Sequence, residues 1–440
     1  MDRFRLRPYQ VIVGGFLLLI LLGACLLSLP FASRTPGSVP FGDCLFTATS
    51  AVCVTGLIVR DTATTWTLFG QGVLLVLIQI GGMGVVTMAL MLSFFSGRKI
   101  GLMQRVLMRE TISAPQVGGI VRLTRFILIS TAAIEGAGAL LLLPSFWQAF
   151  GFGRGLWYAV FHAVSAFCNA GFDLMGVREP YSSMTTFAQD PLVNLALIAL
   201  ITLGGLGFLV WNDIKTNGLH WKRYRVQTKL VLMVSLALVL IPAIAFYALE
   251  LQTYGAGERV LPALFQSVTL RTAGFNSVDL GSFSDTGKVT MILWMLVGGS
   301  PGSTAGGLKT TTLAVLYLAL WAVVRRRENT EAFGRRFPEE TARSAMALLV
   351  LYLTLFISTG MLISRVEGLP LLTCLFETAS AVGTVGVTLG ITPSLGPLSR
   401  ALLMGLMFFG RAGALTLIYA AQPFRPTGVG KLPEEKITVG

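Results

Sequence analysis

Eight long apolar stretches recur along the chain, and no other feature limits its fold as strongly. They are Tyr9–Pro30, Leu68–Phe95, Leu123–Pro144, Pro191–Trp211, Thr228–Leu249, Val289–Val324, Ala342–Ile363 and Leu398–Ala421. A helix crosses a bilayer with about 20 apolar residues, and each stretch supplies them. Composition agrees: 54% of the 440 residues are hydrophobic and 12% are charged. A soluble domain carries about 25% charged residues, so the charge here is too sparse to clothe a soluble surface. A disordered chain, a collagen and a secreted disulfide scaffold are excluded on the same ground. A polytopic helical membrane protein is the expected class.

Loop charge sets the expected orientation. Five segments (Arg3–Arg7, Arg98–Arg125, Lys215–Lys229, Arg325–Arg343 and Arg425–Lys436) hold 23 of the 34 basic residues. All five fall on one side if every stretch spans. The positive-inside rule makes that side cytoplasmic, with both termini inside. The net charge of +13 is then loop charge facing lipid headgroups, and no nucleic-acid partner is expected. Cys25, Cys44, Cys53, Cys168 and Cys374 are scattered and read as small apolar residues. Two histidines, no paired carboxylates and no nucleophile beside a base leave an enzyme reading without a site.

A shorter apolar piece lies between the stretches of each successive pair: Phe41–Val52, Gly155–Phe167, Arg259–Leu270 and Leu369–Val382. Each is too short to cross a bilayer and fits a re-entrant helix. The four run into matching strings: Ser50-Ala-Val-Cys-Val-Thr-Gly56-Leu57, Ser165-Ala-Phe-Cys-Asn-Ala-Gly171-Phe172, Val268-Thr-Leu-Arg-Thr-Ala-Gly274-Phe275 and Ser380-Ala-Val-Gly-Thr-Val-Gly386-Val387. The glycines stand 115, 103 and 112 residues apart. The expected fold is therefore all-α and integral to the membrane. Its eight spans form four parallel span–pore helix–span repeats around a pseudo-fourfold pore. The repeats are residues 1–96, 97–213, 214–327 and 328–440. The second includes a cytoplasmic linker, the third an intramembrane loop and the fourth a C-terminal tail. Two spans per unit keep the copies parallel, unlike the inverted repeats common in transporters.

Such a repeat suits cation transfer. Backbone carbonyls can replace the water shell of a small cation when four loops ring them around an axis. Each loop then needs glycine, because the backbone must adopt angles that other residues resist. A re-entrant helix also aims its negative end at the ring. Below the strings the even stretches carry Gly81-Gly82, Gly204-Gly205, Gly298-Gly299 and Gly410-Arg411, where close helix packing is expected of the glycines. A mid-membrane arginine such as Arg411 is costly and is expected to face a watery cavity. The sixth stretch contains Gly298-Gly-Ser-Pro-Gly-Ser-Thr-Ala-Gly-Gly307-Leu-Lys309-Thr310, too rich in glycine and proline to be helix. Gly302 and Gly307 have phosphate-loop spacing, but Leu308 stands where lysine belongs. An irregular loop under the pore, a candidate gate, fits better. His162 and Glu377 are expected to be hydrogen-bonded behind the strings, Glu135 to be paired inside the bundle, and Arg271 to buttress its loop.

The four strings, the Gly298–Thr310 loop, the Phe409-Gly410-Arg411 turn and the Phe376-Glu377-Thr378 entry to the fourth string resemble the Trk/Ktr/HKT superfamily of cation channels and transporters. The resemblance spans nearly the whole chain, and its nearest branch is the KtrB-type membrane subunit of bacterial potassium uptake. It implies a selectivity filter of Val54, Thr55, Gly56, Asn169, Ala170, Gly171, Thr272, Ala273, Gly274, Thr384, Val385 and Gly386, with K+ at their carbonyls. Gly56 suits potassium; sodium-selective relatives carry serine there. It implies a gate made of Gly298, Gly299, Ser300, Pro301, Gly302, Ser303, Thr304, Ala305, Gly306, Gly307 and Lys309, with Arg411 as the barrier beside it. The loop is richer in glycine and proline than the alanine- or serine-rich versions of relatives. It further implies a homodimer with one pore per protomer, in a bacterial plasma (inner) membrane. A cytosolic ring of KtrA-type subunits binding ATP or ADP would regulate it, Na+ would activate it, and no cofactor would be bound covalently. The Pro423–Gly440 tail would lie near the dimer interface. A Na+- or H+-coupled K+ symporter is the alternative on the same fold.

Overall fold

The computed structural model describes residues 8–84, 105–107, 109–110 and 119–421. The arginines before Pro8, the Arg98–Lys99 pair and the Pro423–Gly440 tail lie outside these residues. In chain order the principal helices begin with α1 (Pro8–Leu27), α2 (Phe41–Val52), α3 (Leu68–Met83), α4 (Ile120–Phe150) and α5 (Phe152–Phe167). Next come α6 (Pro191–Leu206), α7 (Phe208–Asn217), α8 (Val226–Ala245), α9 (Val260–Thr269) and α10 (Asp285–Met295). The last five are α11 (Thr310–Val324), α12 (Glu339–Glu367), α13 (Leu371–Gly383), α14 (Pro397–Ala412) and α15 (Ala414–Ala421). Among the described residues the one sheet is a hairpin, β1 (Glu331–Ala332) with β2 (Arg335–Arg336).

The order repeats four times among the described residues: a long helix, a short helix, a glycine string, then a further apolar helix. The long helices are α1, α4, α8 with its π-helical extension Phe246–Glu250, and α12. These four are long and apolar enough to cross a membrane. The short helices α2, α5, α9 and α13 match the four short apolar pieces, and each lies against the long helix before it. Phe46, Phe161, Phe265 and Phe376 hold the same place in each short helix and are at most 1% exposed.

The fourth and eighth stretches correct the expectation of continuous spans. α3 stops at Gly84, α6 at Gly207 and α14 at Gly413, with φ of 86°, 92° and 84°. These are left-handed angles that only glycine adopts at little cost. At Gly207 the chain turns by 92° from α6 into α7. The sixth stretch is broken from Met295 to Thr310, as its glycines and proline require. Local chemistry starts these helices: Asp190 caps the N–H groups of Leu192 and Val193, Ser284 that of Gly287 and Thr67 that of Gly70.

Candidate functional site

Each glycine string leaves the C-terminal end of a short helix, where partial negative charge gathers. All four take the same unusual backbone. Val54, Asn169, Thr272 and Thr384 have φ of 54°, 56°, 65° and 52°. Two residues on, Gly56, Gly171, Gly274 and Gly386 have φ of 92°, 70°, 83° and 96°. Left-handed valine and threonine cost about 1–3 kcal/mol each and persist only where their surroundings impose them.

The strings meet in a closed ring. A Cβ built on Gly56 would stand 2.6 Å from the Ala170 carbonyl oxygen, one on Gly171 2.9 Å from that of Ala273, and one on Gly274 2.7 Å from that of Val385. One on Gly386 would collide with the carbonyl of Thr55. Each glycine therefore faces the middle carbonyl of the next string, and the fourth returns to the first. All twelve residues of the expected filter lie in these strings, and all twelve are buried. The hydroxyls of Thr55 and Thr384 have no hydrogen-bond partner there.

The ring is strutted from behind. The N–H of Gly56 donates to Ser50 Oγ and that of Gly386 to Ser380 Oγ, both at 3.0 Å. Ser165 Oγ donates to the Phe172 carbonyl at 2.7 Å. The third string corrects the sequence register. Its strut is Thr269, donating to the Phe275 carbonyl at 2.6 Å, not the aligned Val268. The N–H groups of Thr55, Ala170 and Val385 reach five residues back, to Ser50, Ser165 and Ser380, whereas that of Ala273 reaches four, to Thr269. The third string is one residue shorter. Three residues before the strut, two of the four helices carry a group that holds the outgoing chain. His162 Nε2 accepts from the N–H of Leu174 at 3.2 Å, with Nδ1 at 2.7 Å from the Tyr158 carbonyl. Glu377 accepts from the N–H of Leu389 at 3.2 Å and from the Thr388 and Thr392 hydroxyls.

Beneath the ring lies the loop between α10 and α11. It pairs with the broken α6: the N–H groups of Ser300 and Thr304 donate to the carbonyls of Gly205 and Gly204, and that of Phe208 to Gly302. Thr304 Oγ1 donates to the Phe167 carbonyl at 2.9 Å, at the end of α5. A Cβ on Gly298 would meet Thr272 Cγ2 at 2.9 Å, and one on Gly307 would meet the Gly383 carbonyl at 2.9 Å. The loop thus touches the inner ends of three strings. Arg411 completes the layer. Its guanidinium donates to the carbonyls of Thr304, Gly81 and Gly82, the last at 2.7 Å. Lys309 Nζ turns back to the Ala305 carbonyl at 2.7 Å. Backbone oxygens, not carboxylates, hold both cations. Arg271 reaches Ser235 Oγ at 3.0 Å, behind its own string. Glu135 finds Gln79 at 3.3 Å rather than a cationic partner.

The glycines also explain the helix pairs below. A Cβ on Gly81, Gly204 or Gly410 would strike the carbonyl of Val52, Phe167 or Val382. In these three units the even helix passes directly over the end of its unit's short helix, which only glycine permits. On the opposite side of the ring a cavity of about 780 Å³ opens, lined by Gly56, Gly171, Gly274 and Gly386. Asp173, Glu179 and Asp279 stand in its wall. Burial pushes Asp173 up to about 7, against the Met175 N–H, and the negative charge of Asp61 adds to the rise.

A family model described as "TrkH: Cation transport protein" matches residues 8–428. The chain belongs to this cation transport family. Membership makes it a multi-pass membrane transporter and not an enzyme. The potassium/sodium uptake protein NtpJ of Enterococcus hirae is 38% identical over 449 residues, covering 100% of this chain and 98% of that protein. The Ktr system potassium uptake protein B of Bacillus subtilis is 37% identical over 447 residues, covering 99% and 97%. The same-named protein of Vibrio alginolyticus is 36% identical, covering 98% and 94%. The crystal structure of the potassium transporter TrkH from Vibrio parahaemolyticus superposes with a TM-score of 0.76. It covers 96% of this chain and 86% of that one at 19% identity, so it speaks for the fold.

One part of this transporter's site escaped the sequence reading. Asp43, in the first turn of α2, accepts from Arg60 Nε and from Arg400 Nη1, each at 2.7 Å. Arg400 lies on α14, so this pair joins the last unit to the first. Arg411, farther along α14, reaches the first unit again through Gly81 and Gly82. A single carboxylate in an otherwise apolar short helix was the available signal.

Proposed function

We propose that the chain is the potassium-selective, ion-translocating subunit of a gated, channel-like bacterial uptake system of the Ktr/Trk type. One observation carries the reading: four strained glycine strings close into a ring, each turning its glycine to the next string's carbonyl. Carbonyls held at such a ring can replace the water shell of K+, and four short helices direct negative ends toward it. The four units, 1–96, 97–213, 214–327 and 328–440, then surround a pseudo-fourfold pore, and the even helices cross the membrane despite their breaks. The Gly298–Gly307 loop with Lys309 and Arg411 is the barrier below the filter. A fixed positive charge there repels a cation, and moving the loop opens the path.

The names of the relatives support potassium as the substrate and a Ktr-type assembly as the setting. The assembly is a homodimer on a cytosolic KtrA-type ring that senses ATP or ADP, with Na+ as activator and both termini in the cytoplasm. Cells lacking their own potassium uptake test the function. Expression of the chain with its regulatory partner restores growth at low potassium; failure of folded, membrane-inserted protein to do so removes the reading. Flux into liposomes at a set membrane potential separates the symporter. A channel-like subunit needs voltage alone, whereas dependence on a proton or sodium gradient makes it a coupled transporter.

A further inference from the structure

The cavity across the ring from the Gly298–Thr310 loop has one sign of charge. Its volume of about 780 Å³ lies in the range of small-molecule sites. Asp173, Glu179 and Asp279 line it, and among the described residues no lysine, arginine or histidine does. The arginines nearest to it along the chain are engaged elsewhere. Arg178 stacks on Phe150 and Phe187, 4.8 and 4.9 Å from the ring centres. Arg259 donates to the carbonyls of Tyr254 and Gln252, and Arg400 to the Pro393 carbonyl and to Asp43. A cleft walled by a single sign of charge gathers counter-ions.

The wall carries more than carboxylates. Thr62 and Ser277 line the cavity at 2% and 1% exposure, and neither hydroxyl has a hydrogen-bond partner. Ser182 Oγ and Asn276 Oδ1, from the same wall, also have none. Backbone ties fix Asn276: its N–H donates to Ser183 Oγ at 3.0 Å, and its carbonyl accepts from the Met184 N–H at 2.8 Å. Each of the four oxygens can accept a hydrogen bond, and burial without one is costly. Tyr181 and Tyr254 add aromatic rings to the wall, the first 50% exposed. Carboxylates, unpaired oxygens and aromatic faces together match a cation that brings its own N–H donors and an apolar body. A bare metal ion brings neither.

We propose that this cavity binds an organic cation with two or more primary ammonium groups, a di- or polyamine. The ammonium groups donate to the carboxylates and to the unpaired oxygens, and the methylene chain between them packs against the tyrosines. Such a ligand sits over the ring, because Gly56, Gly171, Gly274 and Gly386 form the cavity floor. Resting on the proposed function, it bars potassium from the ring while bound.

Equilibrium dialysis of the full chain in detergent against labelled hexamethylenediamine tests this. Two competitors carry the same charge: Mg2+, which has no apolar body, and hexamethonium, the same diamine with every N–H replaced by methyl. Both should displace the probe about tenfold less well than unlabelled diamine. Equal displacement by Mg2+ overturns the proposal in favour of a bare electrostatic field, and equal displacement by hexamethonium overturns it by removing the hydrogen bonds. Glu179→Gln, at an exposed residue, should weaken binding by about two- to fivefold. Tyr181→Asn should do the same, and asparagine tolerates the φ of 62° there. Undiminished affinity in either folded variant overturns the proposal. In proteoliposomes the diamine should slow potassium flux, and less so as potassium rises; bound diamine that leaves a measurable flux unchanged overturns the seat over the ring. Intact binding by a chain that carries no potassium supports the site and removes the proposed function instead.

Discussion

A side chain on Gly56 has nowhere to go. Its Cβ would lie 2.6 Å from the Ala170 carbonyl oxygen, and its φ of 92° strains any residue but glycine. Gly56→Ser should therefore push the first string away from the second and loosen the ring. A distortion of about 1–2 kcal/mol corresponds to roughly a tenfold fall in potassium-over-sodium selectivity. Competition of Na+ against K+ flux in proteoliposomes measures it, and unchanged selectivity takes Gly56 out of the filter. The glycines and the serines six places before them were legible in the sequence because they recur. The role of Thr269 was not, because one missing residue shifts it out of alignment. Only its hydrogen bond to Phe275 reveals the equivalence.

The loop from Gly298 to Thr310 holds its place through a few named ties: Thr304 to Phe167, Arg411 to Thr304, and the N–H groups of Ser300 and Thr304 to α6. Deleting Ser300–Ala305 removes all of them. Flux through reconstituted protein without its regulatory partner should then rise several-fold. Low flux from a folded deletion variant would show that the barrier lies elsewhere. At this scale the sequence told short helices from long ones, since length alone separates them; α2 falls on Phe41–Val52 as expected. It showed the break in the sixth stretch, but not those at Gly207 and Gly413. Gly-Leu-Gly207-Phe is as apolar as the helix around it. Whether a glycine continues a helix or turns it by 92° depends on the sign of φ, which neighbouring elements impose.

Across the whole molecule the ring has four seams, and the chain itself bridges three. The fourth, between the last unit and the first, is closed by side chains: Arg400 on Asp43 at one end of α14, Arg411 on Gly81 and Gly82 at the other. Arg400→Leu should weaken this seam. A hydrogen bond to a charged partner is worth about 1.5–3 kcal/mol, and the lower end applies because the Arg400 side chain is 25% exposed and Arg60 still pairs with Asp43. A lower unfolding temperature in detergent checks it; an unchanged one means that packing alone closes the seam. The sequence by itself determined the membrane class, the fourfold recurrence and the glycine positions. Hydrophobic length and repetition are properties of the chain as a string, so they need no folding to be read. The tertiary structure alone decided the cyclic order of the strings, the register of the third, and the seating of Arg411 on backbone oxygens. The cyclic order and the seating of Arg411 depend on groups more than a hundred residues apart meeting within about 3 Å, near the hydrogen-bond range, and only packing brings them there; the register rests on a bond of Thr269 that the aligned sequence does not single out.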